Sequence, residues 1–211
     1  MQLHLSFSFT LGEVAKYKTI AGSSESLFKD KASKFIGFAF PASTEEQIKE
    51  SLDSLKEIHP KATHHCYAWR LGIDKQHYRA NDDGEPSGSA GKPILGQIDS
   101  FGLSNVLIVV VRYYGGTKLG VPGLINAYRE AAKLAIEETS IIEKETSSIA
   151  KVKFSYSNMN RWMHFVKSQS IEVLEKEFEH DCRMTLQIPD SSKEEFVNFA
   201  DQLADSTVLW I

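Results

Sequence analysis

The feature that most constrains the fold of this chain is the segment Val106–Val111, in which every residue is aliphatic. A strand with one face in water alternates apolar and polar residues, so a run without alternation predicts a strand covered on both faces. This is the longest strongly apolar run, far shorter than the ~18 to 20 residues that span a bilayer. The sequence therefore predicts a buried strand and no membrane span.

The segments upstream of this run predict two further strands, a hairpin and a helix. Phe35–Phe40 is aromatic and β-branched, as strands are. Ser43 and Glu46 have the spacing of a capping box, and the helix after them has one apolar face formed by Ile48, Leu52, Leu55 and Ile58. Ala62–Leu71 alternates like a strand, with His77–Ala80 as its hairpin partner. Residues before Phe35 are predicted to be a loosely held lead-in.

Two glycine-rich stretches flank the buried strand, and each precedes a helix. The first loop is Asn81–Lys92, after which Pro93 is placed to open a short helix. The second loop is Tyr113–Gly123, in which Pro122 opens a helix with an inward face of Ile125, Tyr128, Ala132, Ala135 and Ile136. Both loops are predicted to be ordered and functional.

The second half of the chain repeats a complete pattern of its own. From Ser148 onward, periodicity predicts the order β-α-β-β-α-β within roughly 60 residues, which is typical of a ferredoxin-like domain. The charged region Glu137–Glu145 is the natural boundary. The sequence thus predicts an α+β chain with domains at residues 15–142 and 148–211.

Composition limits the classes of partner and the compartment. With 24 basic and 28 acidic residues the net charge is −4, so any nucleic-acid site must be local. Cys66 and Cys182 are too far apart for a disulfide framework, which favours a reducing, cytoplasmic compartment. Met1–Val14 lacks the features of a signal peptide.

The second loop combines cations, aromatic rings and flexible backbone. Arg112, Tyr113, Tyr114 and Lys118 stand beside consecutive glycines, a combination suited to a phosphate or a stacked base. In the alternative interpretation the glycines permit a tight turn, the tyrosines pack, and the two cations pair with carboxylates of the first loop. Both interpretations stay open at this point.

The first loop carries candidate acids and bases, namely Asp82, Asp83, Glu85, Ser87 and Ser89. Such groups can bind a hard cation or transfer protons, yet in a Gly/Pro/Ser loop they more often form turns and caps. The spacing fits neither a Walker loop nor a dinucleotide fingerprint, and His64 with Cys66 supplies only two metal ligands on one face. The sequence predicts no catalytic residue, no metal site and no cofactor.

Three strings resemble the IMPACT family in its bacterial, two-domain, YigZ-like form: Ala62–Cys66 (ATHHC), Asn81–Gly91 (NDDGEPSGSAG) and Arg112–Gly120 (RYYGGTKLG). The resemblance covers Tyr17 to Ile136. It implies a ribosomal protein S5 domain 2-like fold for the N-terminal domain, with helices on one side of the sheet, and a C-terminal domain like the small α/β domains of elongation factor G. This chain departs from the family near Tyr114, Pro122 and Asn126.

The resemblance implies a non-enzymatic binding or regulatory protein linked to translation, because eukaryotic relatives regulate translation. RNA or the ribosome is one expected partner and a regulatory protein the other; the oligomeric state is open. The predicted binding surface comprises Arg112, Tyr113, Tyr114, Lys118 and Arg129, shaped by Asp82, Asp83 and Glu85. The alternatives are an enzyme on a small phosphorylated or acyl substrate, with an Asp base between the loops, and a protein-interaction module anchored by Tyr113 and Tyr114.

Overall fold

The computed structural model describes residues 15–178 and 181–211, and the predictions made for Met1–Val14 lie outside this range. The chain divides into two compact units. One comprises residues 17–144, and the other comprises residues 145–211 together with Ala15 and Lys16. Each unit has its own hydrophobic core. The prediction of a two-part, mixed α/β chain is confirmed.

The first unit is built around one five-stranded sheet. Its elements, in chain order, are β1 (Lys16–Ile20), β2 (Ser24–Asp30), β3 (Ser33–Pro41), α1 (Glu45–Ile58), β4 (His64–Leu71), β5 (His77–Asn81), α2 (Gly91–Ser100), β6 (Val106–Tyr113), α3 (Gly120–Glu137) and β7 (Ile141–Glu145). The strand order is β2-β3-β6-β4-β5, with every pair antiparallel, and β1 pairs separately with β7.

The apolar run forms the middle strand, β6, and it is covered on both faces as predicted. On one face α2 and α3 pack against residues such as Phe35, Ala68 and Val110. On the other face α1 packs against Trp69 and Val109. The expectation of helices on only one side of the sheet is therefore wrong, because the apolar stripe of α1 is buried on the second face.

The start of α1 differs by one residue from the predicted capping box. Thr44, not Ser43, is the N-cap, and its hydroxyl accepts a hydrogen bond from the Gln47 N–H at 3.3 Å. The Gln47 side chain in turn accepts the Ser43 N–H at 2.8 Å. Ile58, predicted on the apolar face, is 64% exposed. The apolar stripe consequently ends at Leu55.

The strands β1, β2 and β7 were not predicted from the sequence. In β2, Ser24, Ser26 and Phe28 alternate with the more exposed Glu25, Leu27 and Lys29. An edge strand with serines on its inner face buries little apolar surface, so its periodicity is weak. The charged segment predicted as a boundary contains β7, whose pairing with β1 depends on a partner far away in sequence.

The second unit confirms the predicted order β-α-β-β-α-β. Its elements are β8 (Ser147–Phe154), α4 (Met159–Ser168), β9 (Glu172–Phe178), β10 (Cys182–Pro189), α5 (Lys193–Asp201) and β11 (Thr207–Trp210), with short 3₁₀ turns preceding α4 and α5. The antiparallel sheet has the order β11-β8-β10-β9. Alternate residues of β8 and β10 pack with Trp162, Phe165 and Phe196 of the two helices, so both helices cover the same face.

Within residues 15–178 and 181–211, no helix is both long and apolar enough to cross a bilayer.

Candidate functional site

The start of β4 brings the two glycine-rich loops together at one end of the sheet. The Thr63 N–H donates to the Arg112 carbonyl at 2.8 Å, and the Thr63 hydroxyl accepts the Tyr114 N–H at 3.2 Å. Two residues later, the His65 N–H donates to the Asp83 carboxylate at 2.6 Å. Residues at the beginning of one strand therefore contact both loops, through the Thr63 hydroxyl and the His65 N–H.

The carboxylate of Asp82 holds the first loop in shape. It accepts the backbone N–H groups of Gly88, Ala90 and Gly91 at 2.8 to 2.9 Å. Burial opposes ionisation of this side chain, but these hydrogen bonds and the nearby Lys92 outweigh it, so the pKa of Asp82 lies below its ordinary value. Asp82 is therefore a poor general base and a strong structural acceptor.

The first loop also closes tightly on its own beginning. A Cβ atom at Gly91 would overlap the backbone of Asn81, so only glycine allows this approach. The Asn81 side chain accepts the Asp83 N–H at 2.8 Å, and Asp83 itself lies in the left-handed region at φ 42°. Such local bonds between side chain and backbone are typical of Asx turns.

Beneath the first loop, Glu85 is the centre of a buried polar network. Its side chain is 4% exposed and forms an ion pair with the guanidinium of Arg112, which is 6% exposed. The same oxygen accepts a hydrogen bond from the Tyr128 hydroxyl at 2.8 Å. His64 Nε2 lies 3.7 Å away, while His64 Nδ1 is 2.7 Å from the Asp83 carbonyl. The network joins both loops to α3.

Cys66 extends this network without supplying a nucleophile. Its Sγ is 3.0 Å from the Asp82 carbonyl and 3.3 Å from the Tyr128 hydroxyl. Burial raises the pKa of the Cys66 thiol and that of the Tyr128 hydroxyl. A thiol that remains protonated is a weak nucleophile, so the cysteine acts as a packed hydrogen-bonding group.

The predicted cations of the second loop have different environments. Arg112 is buried and paired with Glu85, which is the alternative left open by the sequence. Lys118 and Arg129 are exposed, and within residues 15–178 and 181–211 neither has a carboxylate within 4.0 Å. The alternative therefore describes Arg112 but not Lys118.

The two tyrosines of the second loop also differ. The Tyr113 hydroxyl is 3.0 Å from His59 Nδ1, and its ring packs against the core on the α1 side of the sheet. Tyr114 is 47% exposed, and its ring lies 5.5 Å from Cζ of Arg112 in a cation–π contact. Of the two tyrosines in the second loop, Tyr114 is the one that combines an exposed aromatic ring with a fixed support.

Ser87 is exposed, whereas Ser89 is fully buried and its hydroxyl has no hydrogen-bond partner in the described part of the chain. His65 Nε2 is similarly unpartnered there, and burial lowers the pKa of His65, with Asp83 acting in the opposite direction. Across the residues that the structure describes, no group of three or more His, Cys, Asp or Glu side chains could hold a metal ion.

Sequence reasoning did not identify Tyr128 as a partner of the first loop. Tyr128 is 43 residues from Glu85 and 62 from Cys66, and its position fits the inward apolar face of a helix. His64 and Cys66 were correctly placed on one face by strand alternation, but that pattern does not show what they contact. A buried hydroxyl carries no sequence signal for its acceptor.

Comparison with known proteins gives a consistent result. The family model "Impact N-terminal domain" matches residues 31–136. The IMPACT family member YigZ of Escherichia coli is 40% identical over 116 residues, covering 54% of this chain and 57% of that protein. The "IMPACT family member in pol 5'region" of Thermus thermophilus is 34% identical over 157 residues, covering 74% and 84% respectively.

A solved structure described as the crystal structure of a hypothetical protein superposes with a TM-score of 0.72 at 28% sequence identity. The match covers 93% of this chain and 97% of the other, so it extends over both units. The matched family region contains β3 to α3 and therefore both glycine-rich loops and the network beneath them. This chain belongs to the IMPACT family, in its bacterial, YigZ-like form.

Proposed function

We propose that this chain is a non-enzymatic binding protein linked to translation, and that it contacts RNA or the ribosome through the second loop. Family membership is the ground for the link to translation, as the resemblance implies. One observation carries the preference for binding over catalysis: Cys66 and Glu85 are buried and each is hydrogen-bonded to the buried Tyr128 hydroxyl, whereas Tyr114 and Lys118 of the second loop are exposed.

The support beneath Tyr114 favours recognition of a flat ligand. The guanidinium of Arg112 lies over both the Phe35 ring and the Tyr114 ring, with its Cζ 5.3 and 5.5 Å from their centroids. Its pairing with Glu85 fixes it in place. Stacking on an aromatic ring contributes about 1 to 3 kcal/mol per base, and it tolerates every base because each has a π-face. In this proposal Arg112 orients the ring and does not touch the ligand.

Lys118 and Arg129 are the exposed cations of the proposed site. Lys118 lies two residues before the first residue of α3, and Arg129 lies within that helix. Phosphate contacts by such side chains make affinity strongly dependent on salt. Asp82, Asp83 and Glu85 shape the site indirectly, because their carboxylates are occupied by backbone N–H groups or by Arg112.

The observations give less support to the two alternatives. An enzyme using Asp82 as its base would depend on a carboxylate that three backbone hydrogen bonds stabilise in its charged form, which makes it a weak proton acceptor. A protein-interaction module anchored by both tyrosines would need both rings at the surface, yet Tyr113 is partly buried and its hydroxyl contacts His59.

The domain assignments are part of the same proposal. We propose an S5 domain 2-like domain at residues 15–142, as the family implies but with α1 covering the second face of the sheet, and a ferredoxin-like domain at 148–211. The sheet of the second unit has the order β11-β8-β10-β9. Counted along that unit these are its fourth, first, third and second strands, an order that supports the ferredoxin-like assignment. We also propose a cytoplasmic location, which two buried, unpaired cysteines support.

The test is binding of the purified protein to ribosomes by co-sedimentation and to short single-stranded RNA by filter binding, over a range of salt concentrations. Lys118→Ala with Arg129→Ala should weaken binding and flatten its salt dependence. The control variant, Lys49→Ala with Lys75→Ala, removes two exposed lysines elsewhere on this unit. It should change neither the affinity nor its salt dependence. Arg112→Ala is unsuitable because it would leave Glu85 buried without its partner.

Two results would overturn the proposal. Absence of wild-type binding to both ribosomes and RNA at low salt would exclude the function. Equal binding by the wild type and the Lys118 and Arg129 double variant would exclude the second loop as the contact surface, even if the protein binds.

A further inference from the structure

The turn between β2 and β3 concentrates positive charge. Lys29, Lys31 and Lys34 are exposed within a stretch of six residues that has one acid, Asp30. Lys29 and Lys34 are directly opposite each other in the antiparallel pair. Like charges at directly opposed positions destabilise a hairpin, so this arrangement works against folding.

The tip of the same hairpin is also strained. Asp30 pairs with Ser33, which leaves a two-residue turn in which Lys31 has φ 42° and Ala32 has φ 65°. Turns of this geometry favour Asn-Gly, because residues with a Cβ are disfavoured at positive φ. Both the charges and the turn residues of this hairpin therefore lower its folding stability.

The hairpin tip is in contact with the second loop. A Cβ atom at Gly115 would overlap the backbone of Ala32 and Ser33, so the two segments touch through main-chain atoms. The Gly115 N–H also donates to the Ser33 hydroxyl at 3.1 Å, and Lys34 is the register partner of Tyr113. The hairpin tip and the second loop thus adjoin at the end of the sheet, with Lys34 on the face that carries Tyr113 and the Arg112–Tyr114 contact on the other face.

No carboxylate in the described part of the chain lies within 4.0 Å of Lys29, Lys31 or Lys34. The whole chain has a net charge of −4, so this is a local concentration of positive charge. We infer that the β2–β3 hairpin binds the phosphate backbone of single-stranded RNA, with a base on Tyr114. This inference rests on the proposed function and names its ligand and a second part of its surface.

Two features favour RNA over an acidic protein as the polyanion. The hairpin cations are all lysines, which act as point charges toward phosphates, whereas the arginine fork is better suited to bidentate contact with carboxylates. Across the end of the sheet from Lys34, Tyr114 offers a supported aromatic face that a nucleobase can stack on. An acidic peptide would use the charge but not the ring.

The experiment measures fluorescence anisotropy of a labelled short oligouridylate at several KCl concentrations. The hairpin variant carries Lys29→Gln, Lys31→Gln and Lys34→Gln; the control variant carries Lys49→Gln, Lys75→Gln and Lys144→Gln, with the same change in charge. Log K falls as log salt rises, and each lost phosphate contact should make this slope shallower by about 0.7. The slope for the hairpin variant should therefore be shallower than that of the wild type by about 2. At low salt its affinity should fall at least about tenfold, while the control matches the wild type.

The outcomes separate this inference from the function on which it rests. If the wild type binds RNA and both triple variants lose affinity equally, the inference is overturned but the function stands. The same holds if the hairpin variant loses no affinity. No wild-type binding to RNA or ribosomes overturns both. Poly-glutamate and unlabelled RNA are also compared as competitors at equal total charge. If poly-glutamate displaces the labelled RNA as well as unlabelled RNA does, the choice of RNA is overturned. Unfolding in urea checks folding, and the hairpin variant should be no less stable than the wild type.

Discussion

The two glycine-rich loops use their charged residues in opposite ways. In the first loop, the carboxylates of Asp82, Asp83 and Glu85 point toward backbone N–H groups or a buried guanidinium, and they shape the loop. In the second loop, Lys118 is exposed and has no carboxylate nearby among the described residues. The difference supports the proposal made above, in which the first loop is a structural support and the second loop contacts the ligand.

The ion pair beneath both loops provides the strongest test of this comparison. Glu85→Gln keeps an acceptor for Tyr128 but leaves Arg112 buried without an opposite charge. We expect the free energy of unfolding to fall by about 3 to 5 kcal/mol, as it does when one partner of a buried pair is removed. Urea denaturation measures the loss, and a value below about 1 kcal/mol would mean that the network does not support the loops.

Asp82→Asn tests the support within the first loop itself. The neutral amide cannot accept all three backbone N–H groups as a carboxylate does, and bonds to a charged group are each worth about 1.5 to 3 kcal/mol. We expect a loss of about 2 to 3 kcal/mol, measured by urea unfolding at neutral pH. Asp53→Asn, at an exposed site on α1, is the matched control and should change stability little.

The same carboxylate makes a prediction about pH. The pKa of Asp82 in the folded state lies below the ordinary 3.8, so its contribution to stability is complete well above that value and is lost as the pH falls through the folded pKa. The stability difference between wild type and Asp82→Asn should therefore shrink as the pH falls below about 4. A difference that stays constant between pH 7 and pH 3 would show that the charge is not involved.

Gly115→Ala tests the contact between the second loop and the hairpin. The added Cβ would overlap the main chain of Ala32 and Ser33, so one of the two segments must move, at a cost of about 1 to 3 kcal/mol. Gly22→Ala is the control, because nothing lies within 4 Å of its Cβ position. If thermal unfolding shows the two variants to be equally stable, the second loop and the hairpin do not form one surface.

The smallest effect is expected from Lys118→Ala. An exposed side chain without an ionic partner in the described chain should contribute less than about 0.5 kcal/mol to stability. Its loss should instead appear in RNA binding. A decrease in stability above 1 kcal/mol would indicate that the second loop is as structural as the first.

Much of the fold follows from local pattern. The uniform apolar run predicted a strand covered on both faces, and alternation predicted β8 and β10 with their inward residues. Periodicity works there because these strands bury a full face against helices. It failed for β2, whose inner face carries Ser24 and Ser26, because a partly polar edge strand lacks the apolar alternation.

The candidate site was only partly predictable, for a related reason. The sequence selected both loops, because glycines, carboxylates and cations were concentrated there. It could not distinguish Arg112 from Lys118, since both are cations beside the same glycines. The distinction depends on Glu85 and Tyr128, which the fold brings to within hydrogen-bonding distance of each other from different elements.

The sequence by itself determined the order of most strands and helices, the two-part organisation and the family, since each is encoded in local periodicity or in continuous strings of residues. Only the tertiary structure decided which charged side chains are buried and which are available to a ligand. Burial of Arg112 and exposure of Lys118 depend on neighbours distant in sequence. The cost of burying a charge depends on those neighbours, so no local pattern can report it.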